Sequence, residues 1–581
     1  MQLVHARVKN FRSLRDVSVS FGAHTALIGG NGAGKSSILK AIEKFYSSKG
    51  LDPDDYYGRD TNTRVEIELK FGKLSKQELV TFESRVREGH LTVTRVFDGG
   101  ASDGRYFGSV PQNPDFLNIL AQPGAGPKLT AYRALRASNP AYTDALPAVP
   151  NSTAAEDAML GWESEHPDSL ALHPDDGQFF GFQNASRGAL KRHTNFVFIP
   201  AVREASADAA DGKSSAIGQL LEIIVRSAIL QRQDIVNFKN EMTAQYRALV
   251  TPERMPELGL LANKLTTDLR VLYRDAEVGL NWREIVEFPV PLPVADVSLN
   301  DDGFGGPVDR QGHGLQRAFV LTLLQQLARA STQIQAGEPA NAGAPPIPPQ
   351  APSLILAIEE PELYQHPTKQ RHFTTVLRGL SKGTLPGVEN ATQIMFGSHS
   401  PMFVSMDRAD EIRLVRRVDC EDGRFKQCEL KSLNLATIAS ELESAWQKQA
   451  GAFTADSLVP RLHILGIELA EGFFANGVVL VEGRSDKAML YANAKLLGLN
   501  FEEAGIAVLS AEGKGNLDKP YAIFRALGIP SYILWDCDRG KDEVANLPLL
   551  RLVRPNENLQ EALPATLVSG SYAHFETTLE S

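Results

Sequence analysis

The sequence predicts an α/β protein: a first sheet-and-helix domain interrupted by a helical hairpin, then a smaller α/β unit. Three observations predict this. Gly29 to Ser36 reads Gly-Gly-Asn-Gly-Ala-Gly-Lys-Ser between an apolar strand, Thr25–Ile28, and a helical run, Ser37–Ile42. A second apolar run, Leu354–Ile358, ends in Glu359-Glu360. Two later runs, Val478–Val481 and Tyr532–Trp535, end in Glu482-Gly483 and Asp536-Cys537-Asp538. Buried parallel strands read as continuous apolar runs, and α/β sheets place ligand-binding groups just past strand C-termini.

The first observation fixes the chemistry of the first domain. The stretch matches the full G-x-x-x-x-G-K-S/T phosphate loop in the required strand–loop–helix context. Its glycines let the backbone wrap a polyphosphate, and the helix N-terminus adds partial positive charge. Gly29, Gly30, Asn31, Gly32, Ala33, Gly34, Lys35, Ser36 and Ser37 are the candidate ATP-binding residues. Lys35 reaches the β and γ phosphates, and Ser36 joins a Mg²⁺ shell.

The 581 residues are too many for one domain. Hydrophobic residues make up 43% and charged residues 22%, and no apolar run approaches the roughly 18 residues of a membrane helix. The N-terminus has no signal-peptide pattern. Cys420, Cys428 and Cys537 are too scattered for a disulfide frame or zinc site. The expectation is a cytoplasmic protein with no membrane partner. A net charge of −10 argues against a chain that coats itself in nucleic acid, but leaves room for one local basic surface.

Leu3–Phe11 and Val17–Phe21 read as strands, and Val65–Phe71 and Leu91–Phe97 extend an antiparallel sheet. Residues 99–188 fade into Gly, Ala, Pro, Asp and Ser, with some helix at Thr130–Ala137 and Ala154–Trp162, and read as an insertion with loops. Phe196–Pro200 restores a buried strand. Leu221, Ile224, Ala228, Ile235, Phe238, Met242, Tyr246 and Leu249 keep three-four spacing. So do Leu258, Leu261, Leu265, Leu269 and Leu272 after a break at Thr251-Pro252, which predicts a helical hairpin over 217–275. Arg226, Arg232, Lys239, Arg247, Lys264 and Arg270 on its outer face are either a solvated surface or a track for a DNA backbone.

Gly312, Gly314 and Gln316 precede a helix through Leu327 and look like the ABC signature, which presents backbone N–H groups to the nucleotide of a second subunit. His313 between them reads as a loop residue. Residues 336–353 form a Pro/Ala/Gly loop. Two adjacent acids at a buried strand end repel unless a cation lies nearby. Glu359-Glu360 is therefore a Walker B element, with Glu359 on the Mg²⁺ shell and Glu360 orienting the attacking water. His366-Pro367 helps the following turn. Ile394–Phe396 leads to His399, in the place of a γ-phosphate-sensing switch histidine. Glu411–Arg417 and a helical region from about Leu433 close the domain.

In the last unit, Gly513-Lys514-Gly515-Asn516 follows the strand Ile506–Leu509. Asp536 and Asp538, if extended, project to one side roughly 6.5 Å apart, with Cys537 facing away. Glu482 lies at the same sheet edge, and Asp486 follows at the start of a helix. Carboxylates converging in this way suit divalent metal, and a metal pair can drive phosphodiester cleavage.

The stretch Lys9-Asn10-Phe11-Arg12-Ser13-Leu14 ahead of the phosphate loop resembles the RecF/SMC-like branch of ABC-type ATPases. The strand-Glu-Gly then Asp-x-Asp order resembles a Toprim domain. Together they resemble the OLD (overcoming lysogenization defect) family of ATP-dependent endonucleases, to which Gabija-type nucleases are related. The fold class is then an ABC-type P-loop ATPase over 1–98 and 189–445, a connecting helical segment over 446–471, and a Rossmann-like Toprim domain over 472–581. The resemblance implies ATP and Mg²⁺ or Mn²⁺ as cofactors and a homodimer through the ATPase domains. It also implies DNA as substrate, phage defence as a role and a possible helicase-like partner. The expected catalytic residues are Glu360, His399, Glu482, Asp536 and Asp538, and the expected metal ligands Ser36, Glu359, Glu482, Asp486, Asp536 and Asp538. Family Toprim domains continue into helices that carry a catalytic lysine, whereas this sequence stops at Ser581, soon after His574-Phe575-Glu576. Two readings from other classes stand beside this one: an ATP-gated DNA-binding or repair module with an inactive Toprim unit, or a defence sensor or scaffold that recruits another effector.

Overall fold

The computed structural model describes residues 1–47, 50–82, 85–99, 104–166, 169–174, 190, 193–200, 232–249, 257–271, 273–279, 297–312, 314–316, 318–320, 322–323, 325–326, 329, 353–385, 392–420, 426–463, 466–538, 543–555, 567–568 and 572–575. Two compact units emerge, one of Met1–Ala201, Pro352–Thr384 and Ala391–Ser581, the other of Val202–Ala351 and Leu385–Asn390.

The first unit is built on three sheets. In the antiparallel one, Gln2–Phe11 lies between Leu14–Ser20 and Val65–Gly72, and the sheet runs on through His90–Phe97, Arg105–Gln112 and Ala171–Pro174. Alternating residues of these strands face inward, so Leu3, Val8, Ile67, Leu69 and Val93 bury one face against the helix Lys35–Tyr46. That helix returns Ile38, Leu39, Ile42 and Phe45 to the same core. At its far end the buried Arg95 donates to the carbonyls of Lys44 and Phe45, a cation at the negative end of the helix dipole.

The second sheet runs Gln427–Lys431, Ile412–Val418, His24–Ile28, Gln393–Ser398, Ser353–Glu359, Thr194–Ile199, parallel except for its first strand. Its inner strands are buried on both faces, as their unbroken apolar sequences require. Gln393 bridges the two sheets: its Oε1 accepts the Leu3 N–H at 2.9 Å and its Nε2 donates to the Gly22 carbonyl at 2.9 Å.

The third sheet, Ile506–Ser510, Gly477–Val481, Ser531–Asp536, Tyr572–Phe575, Leu567–Val568, is parallel except for its last strand. It is joined to the second by specific contacts. Arg416 Nη1 donates to the Gly528 carbonyl at 2.7 Å, and Trp446 Nε1 to Asp518 Oδ2 at 2.8 Å. Arg525 pairs with Glu441. Asp518 and Gly528 bracket the helix Asp518–Ala526, so both ends of this helix are held by the first-domain side.

The structure departs from the sequence reading in the insertion. The two expected helical stretches lie within Ala125–Ser138 and Ser152–Glu165, but where loops were expected around them Pro114–Leu120 and Pro140–Thr143 add to a helical cluster. Its own core contains Phe116, Tyr132, Tyr142, Met159 and Trp162. A few aromatics supply that core, too sparsely for a period to show. Asn113, Asn139 and Asn151 cap three of the helices through Oδ1, a signal the sequence does carry.

In the second unit, helices Gln233–Leu249 and Glu257–Arg270 stand within the expected hairpin. Its first part, with Leu221, Ile224, Ala228 and Arg226, and the break at Thr251-Pro252 lie outside the described residues, as do Leu272, His313, most of 336–353 and the side chains of Arg247 and Leu258. Of its outer cations, Arg232 pairs with Asp234 and Arg270 with Glu277, so part of that positive charge is already answered locally. No helix among the described residues is long and apolar enough to cross a membrane.

Candidate functional site

At the C-terminal edge of the second sheet, Ser398 pairs with Ile28 and Gly397 with Glu359, so the phosphate loop, His399 and Glu360 emerge side by side. The loop uses three left-handed glycines, Gly29 (φ 144°), Gly32 (φ 68°) and Gly34 (φ 119°). At Gly29 space matters as much as angle: a Cβ there would lie 2.0 Å from the Val415 carbonyl oxygen. Gly34 caps the helix with no side chain, leaving the first N–H groups of Lys35–Tyr46 for an anion. Lys35 Nζ donates to the Gly29 and Gly30 carbonyls at 2.8 and 3.0 Å, folded back over its own loop. Burial pushes its pKa down to about 8, against the pull of Glu360 and Glu362. An ammonium so desolvated gains from an incoming polyphosphate. The loop residues therefore fit a nucleoside triphosphate. Ser37 Oγ meets Ser13 Oγ at 3.2 Å, which ties the Arg12-Ser13 turn to the helix start.

Glu359 is buried at the strand end, and Glu360 turns out of it with φ 43°, its N–H held by the Gly397 carbonyl at 2.8 Å. His399 Nε2 lies 3.9 Å from Glu360 Oε1, a contact across which a water or phosphate oxygen could be oriented. Burial lowers the His399 pKa, with the Lys35 charge adding to the effect and Glu360 opposing it. The residue that organises this edge is one the sequence reading missed, Glu362. Its carboxylate accepts the His399 N–H at 2.6 Å and the Ser398 hydroxyl at 3.0 Å, and burial raises its pKa. The turn after Pro361 is the signal that could have found it. His366 and Pro367 occupy the N-cap and first turn of the helix Pro367–Lys382.

Gln316 lies in the second unit, where its N–H donates to the Gly312 carbonyl at 3.1 Å and its Nε2 to the Gln311 carbonyl at 2.6 Å. A Cβ at Gly312 or Gly314 would meet nothing within 4 Å.

The third sheet has an acidic edge. Val481 pairs with Leu534, so Glu482 and Asp536 leave adjacent parallel strands, and the Glu482 carboxylate accepts the Asp536 backbone N–H. Burial raises the Glu482 pKa; Lys514 and that N–H pull it down, and Asp538 and Asp486 push it further up. Two expectations are corrected here. Asp538 is not in an extended segment: the strand ends at Asp536, and Asp538 has φ 45°. The turn carries Cys537 inward, its Sγ 3.1 Å from His574 Nδ1, and aims Asp538 at Lys514 Nζ, 2.8 Å from Oδ2. Asp486 in turn points back to accept the Gly483 N–H at 2.8 Å. Among the described residues no three His, Cys, Asp or Glu side chains close on one point as a metal cage. Like charges with one lysine among them spread along a rim instead. The rim still fits a divalent cation, because Glu482 Oε2 is buried without a hydrogen-bond partner among the described residues.

Comparison with known proteins matches both domains. The family described as AAA ATPase domain matches residues 1–97 and 180–404, more than half of the chain. The family described as overcoming lysogenization defect protein-like, TOPRIM domain, matches residues 473–538. An OLD nuclease of Thermus scotoductus is 23% identical over 562 residues, covering 93% of this chain and 84% of that protein. The Old nuclease of Escherichia phage P2 is 22% identical over 559 residues, covering 93% and 77%. Among solved structures, an SMC head bound to the C-terminal winged-helix domain of ScpA aligns at 13% identity and TM-score 0.33, over 74% of this chain and 99% of that one. The SMC head domain from Thermotoga maritima aligns at 14% identity and TM-score 0.29, over 74% and 100%. With the AAA ATPase domain over more than half of its length, the chain belongs to the AAA ATPase-domain family; it is an enzyme that carries an OLD-like TOPRIM domain behind its ATPase and is similar to OLD nucleases over 93% of its length.

Proposed function

We propose that this protein is an ATP-regulated, divalent-metal-dependent DNA endonuclease that works as a homodimer through its ATPase domains in the bacterial cytoplasm, in phage defence or DNA processing, with a helicase-like protein as a possible partner. The observation that carries the reading is Glu482, a half-buried carboxylate that accepts the Asp536 N–H and whose Oε2 is buried without a hydrogen-bond partner among the described residues. Glu482, Asp486, Asp536 and Asp538 would hold Mg²⁺ or Mn²⁺. Such ions supply an activated water and stabilise the leaving oxygen of a phosphodiester. The chain's own part is to keep these acids at one rim and to hold the DNA backbone against it.

At the other edge the loop Gly29–Ser37 would hold ATP, Ser36 and Glu359 would bear on its Mg²⁺, and Glu360 would orient water while His399 would read the γ-phosphate. Gly312, Gly314 and Gln316 would approach from the second protomer. The test is plasmid nicking by the purified protein with Mg²⁺ or Mn²⁺, with and without ATP. Glu482→Ala is expected to abolish nicking, by more than about 100-fold, with ATP binding intact; nicking at the wild-type rate would refute the site. One observation favours a second reading. Asp538 is already engaged by Lys514, and a protein that keeps that pair would bind DNA under ATP control and leave plasmid uncut with every metal.

A further inference from the structure

The motif Gly513-Lys514-Gly515-Asn516 brings a cation to the middle of the acidic rim, and the role of that cation in the proposed metal site is still to be assigned. Lys514 is a lysine with a side chain only 1% exposed, and it lies 24 residues in sequence from its partner. Long amines are rarely so deeply buried unless a fixed negative charge receives them. Here Asp538 Oδ2 lies 2.8 Å away, and the same ammonium acts on Glu482.

The position is built in. Gly513, at φ 130°, donates its N–H to the carbonyl of Glu482 itself at 2.8 Å, and Ala511 N–H donates to the Val481 carbonyl at 2.9 Å. Asn516 Nδ2 closes the turn on the Ala511 and Glu512 carbonyls at 3.1 and 3.3 Å. On the far side Lys519 Nζ reaches the Gly515 carbonyl at 3.2 Å and Asp518 Oδ1 at 2.8 Å. The loop that carries the ammonium is thus bonded to the backbone of the acid it faces, and it opens the helix that Trp446 holds.

We infer that Lys514 is the internal counter-ion of the rim: its ammonium stands where a divalent cation would bring charge, holding Asp538 in place until metal displaces it. This rests on the metal-dependent reading above. Electrostatics gives it direction. Without a cation, Glu482 and Asp538 repel each other across a partly desolvated edge. With Lys514 present the metal-free rim is stable, and an entering ion competes with an ammonium already in contact with Asp538. Lys514 is therefore a positioning residue, and removing its charge should weaken the metal-free protein while tightening metal binding.

The experiment compares wild type, Lys514→Met, Lys514→Arg and Glu482→Ala, all without nucleotide, by Mn²⁺ titration calorimetry and by thermal unfolding in chelator and in excess Mn²⁺. Lys514→Gln serves as the neutral variant should Lys514→Met not fold. The expected result is Mn²⁺ bound several-fold more tightly by the neutral variant than by wild type. Its Tm should lie below wild type in chelator and recover in Mn²⁺, and Lys514→Arg should stay close to wild type on both counts. Unchanged or weaker Mn²⁺ binding by the neutral variant, with wild-type binding lost in Glu482→Ala, would overturn the inference and leave the metal site standing. Wild-type binding that Glu482→Ala does not reduce would overturn both.

Discussion

Glu362 shows how one carboxylate can fix the tip of a neighbouring strand by hydrogen bonds alone. It receives both the backbone N–H of His399 and the hydroxyl of Ser398, so the tip of one strand is clamped by the turn that follows its neighbour. Hydrogen bonds to a charged group contribute about 1.5–3 kcal/mol each. Glu362→Ala is expected to lower the ATPase kcat by roughly tenfold or more, at about 1.4 kcal/mol per factor of ten, with a smaller change in ATP affinity. Steady-state ATPase assays would check this, and an equal loss of affinity and turnover would point to a collapsed loop instead. This residue was readable in the sequence only as part of Glu-Glu-Pro-Glu. Its partners sit 36 and 37 positions further on, and nothing local names them.

Among elements, the phosphate-loop helix is secured at both ends. Arg95 closes its C-terminal end, and Ser13 meets its first turn. Asp55 ties its Lys44 to the Arg12 turn: Lys44 Nζ and Arg12 Nη2 both lie 2.7 Å from the buried carboxylate. Burial alone would raise the Asp55 pKa, but the hydrogen bonds from Lys44 and Arg12 outweigh it and the net shift is downward. A carboxylate with a folded pKa below its unfolded one stabilises the fold above about pH 4, and that share is lost as pH falls through the folded value. Asp55→Ala is therefore expected to cost about 2–3 kcal/mol at pH 7, and the gap to wild type should narrow below about pH 4. Urea unfolding at pH 7 and pH 3.5 measures both. The helix itself was legible, because glycines, lysine and apolar spacing are local signals. Arg95 and Asp55 were not, because a buried charge is recognisable only once its partners from other strands and turns are in place. Asp538 failed for a related reason. An Asp-x-Asp at a strand end looks extended until the backbone turns, here at φ 45°.

For the larger unit as a whole, the question is how the ATPase sheets and the TOPRIM sheet are connected. The helix Asp518–Ala526 receives Trp446 at its start, and Arg416 binds the Gly528 carbonyl just past its end. Trp446→Phe removes one donor from a buried carboxylate, a loss of about 1–3 kcal/mol. Hydrogen exchange should then quicken in Asp518–Ala526 while the helix Lys35–Tyr46 stays protected. Equal protection of both helices in the variant would mean that the TOPRIM side is held by other contacts. The order of these parts was visible from motifs alone. Which strand neighbours which was not, since parallel pairing joins segments far apart in sequence and leaves no periodic trace.

The missing side chain at Gly29 has a consequence for this connection. Val415 presses its carbonyl into the space a methyl group would need there, and the next residue, Arg416, grips the TOPRIM side. A single extended segment is thus wedged under the nucleotide cradle at one residue and bolted to the nuclease half at the following one. Gly29→Ala should dislodge that segment as well as the cradle, so DNA cleavage would suffer even in assays that need no nucleotide, a cross-effect that a defect confined to ATP binding would not produce.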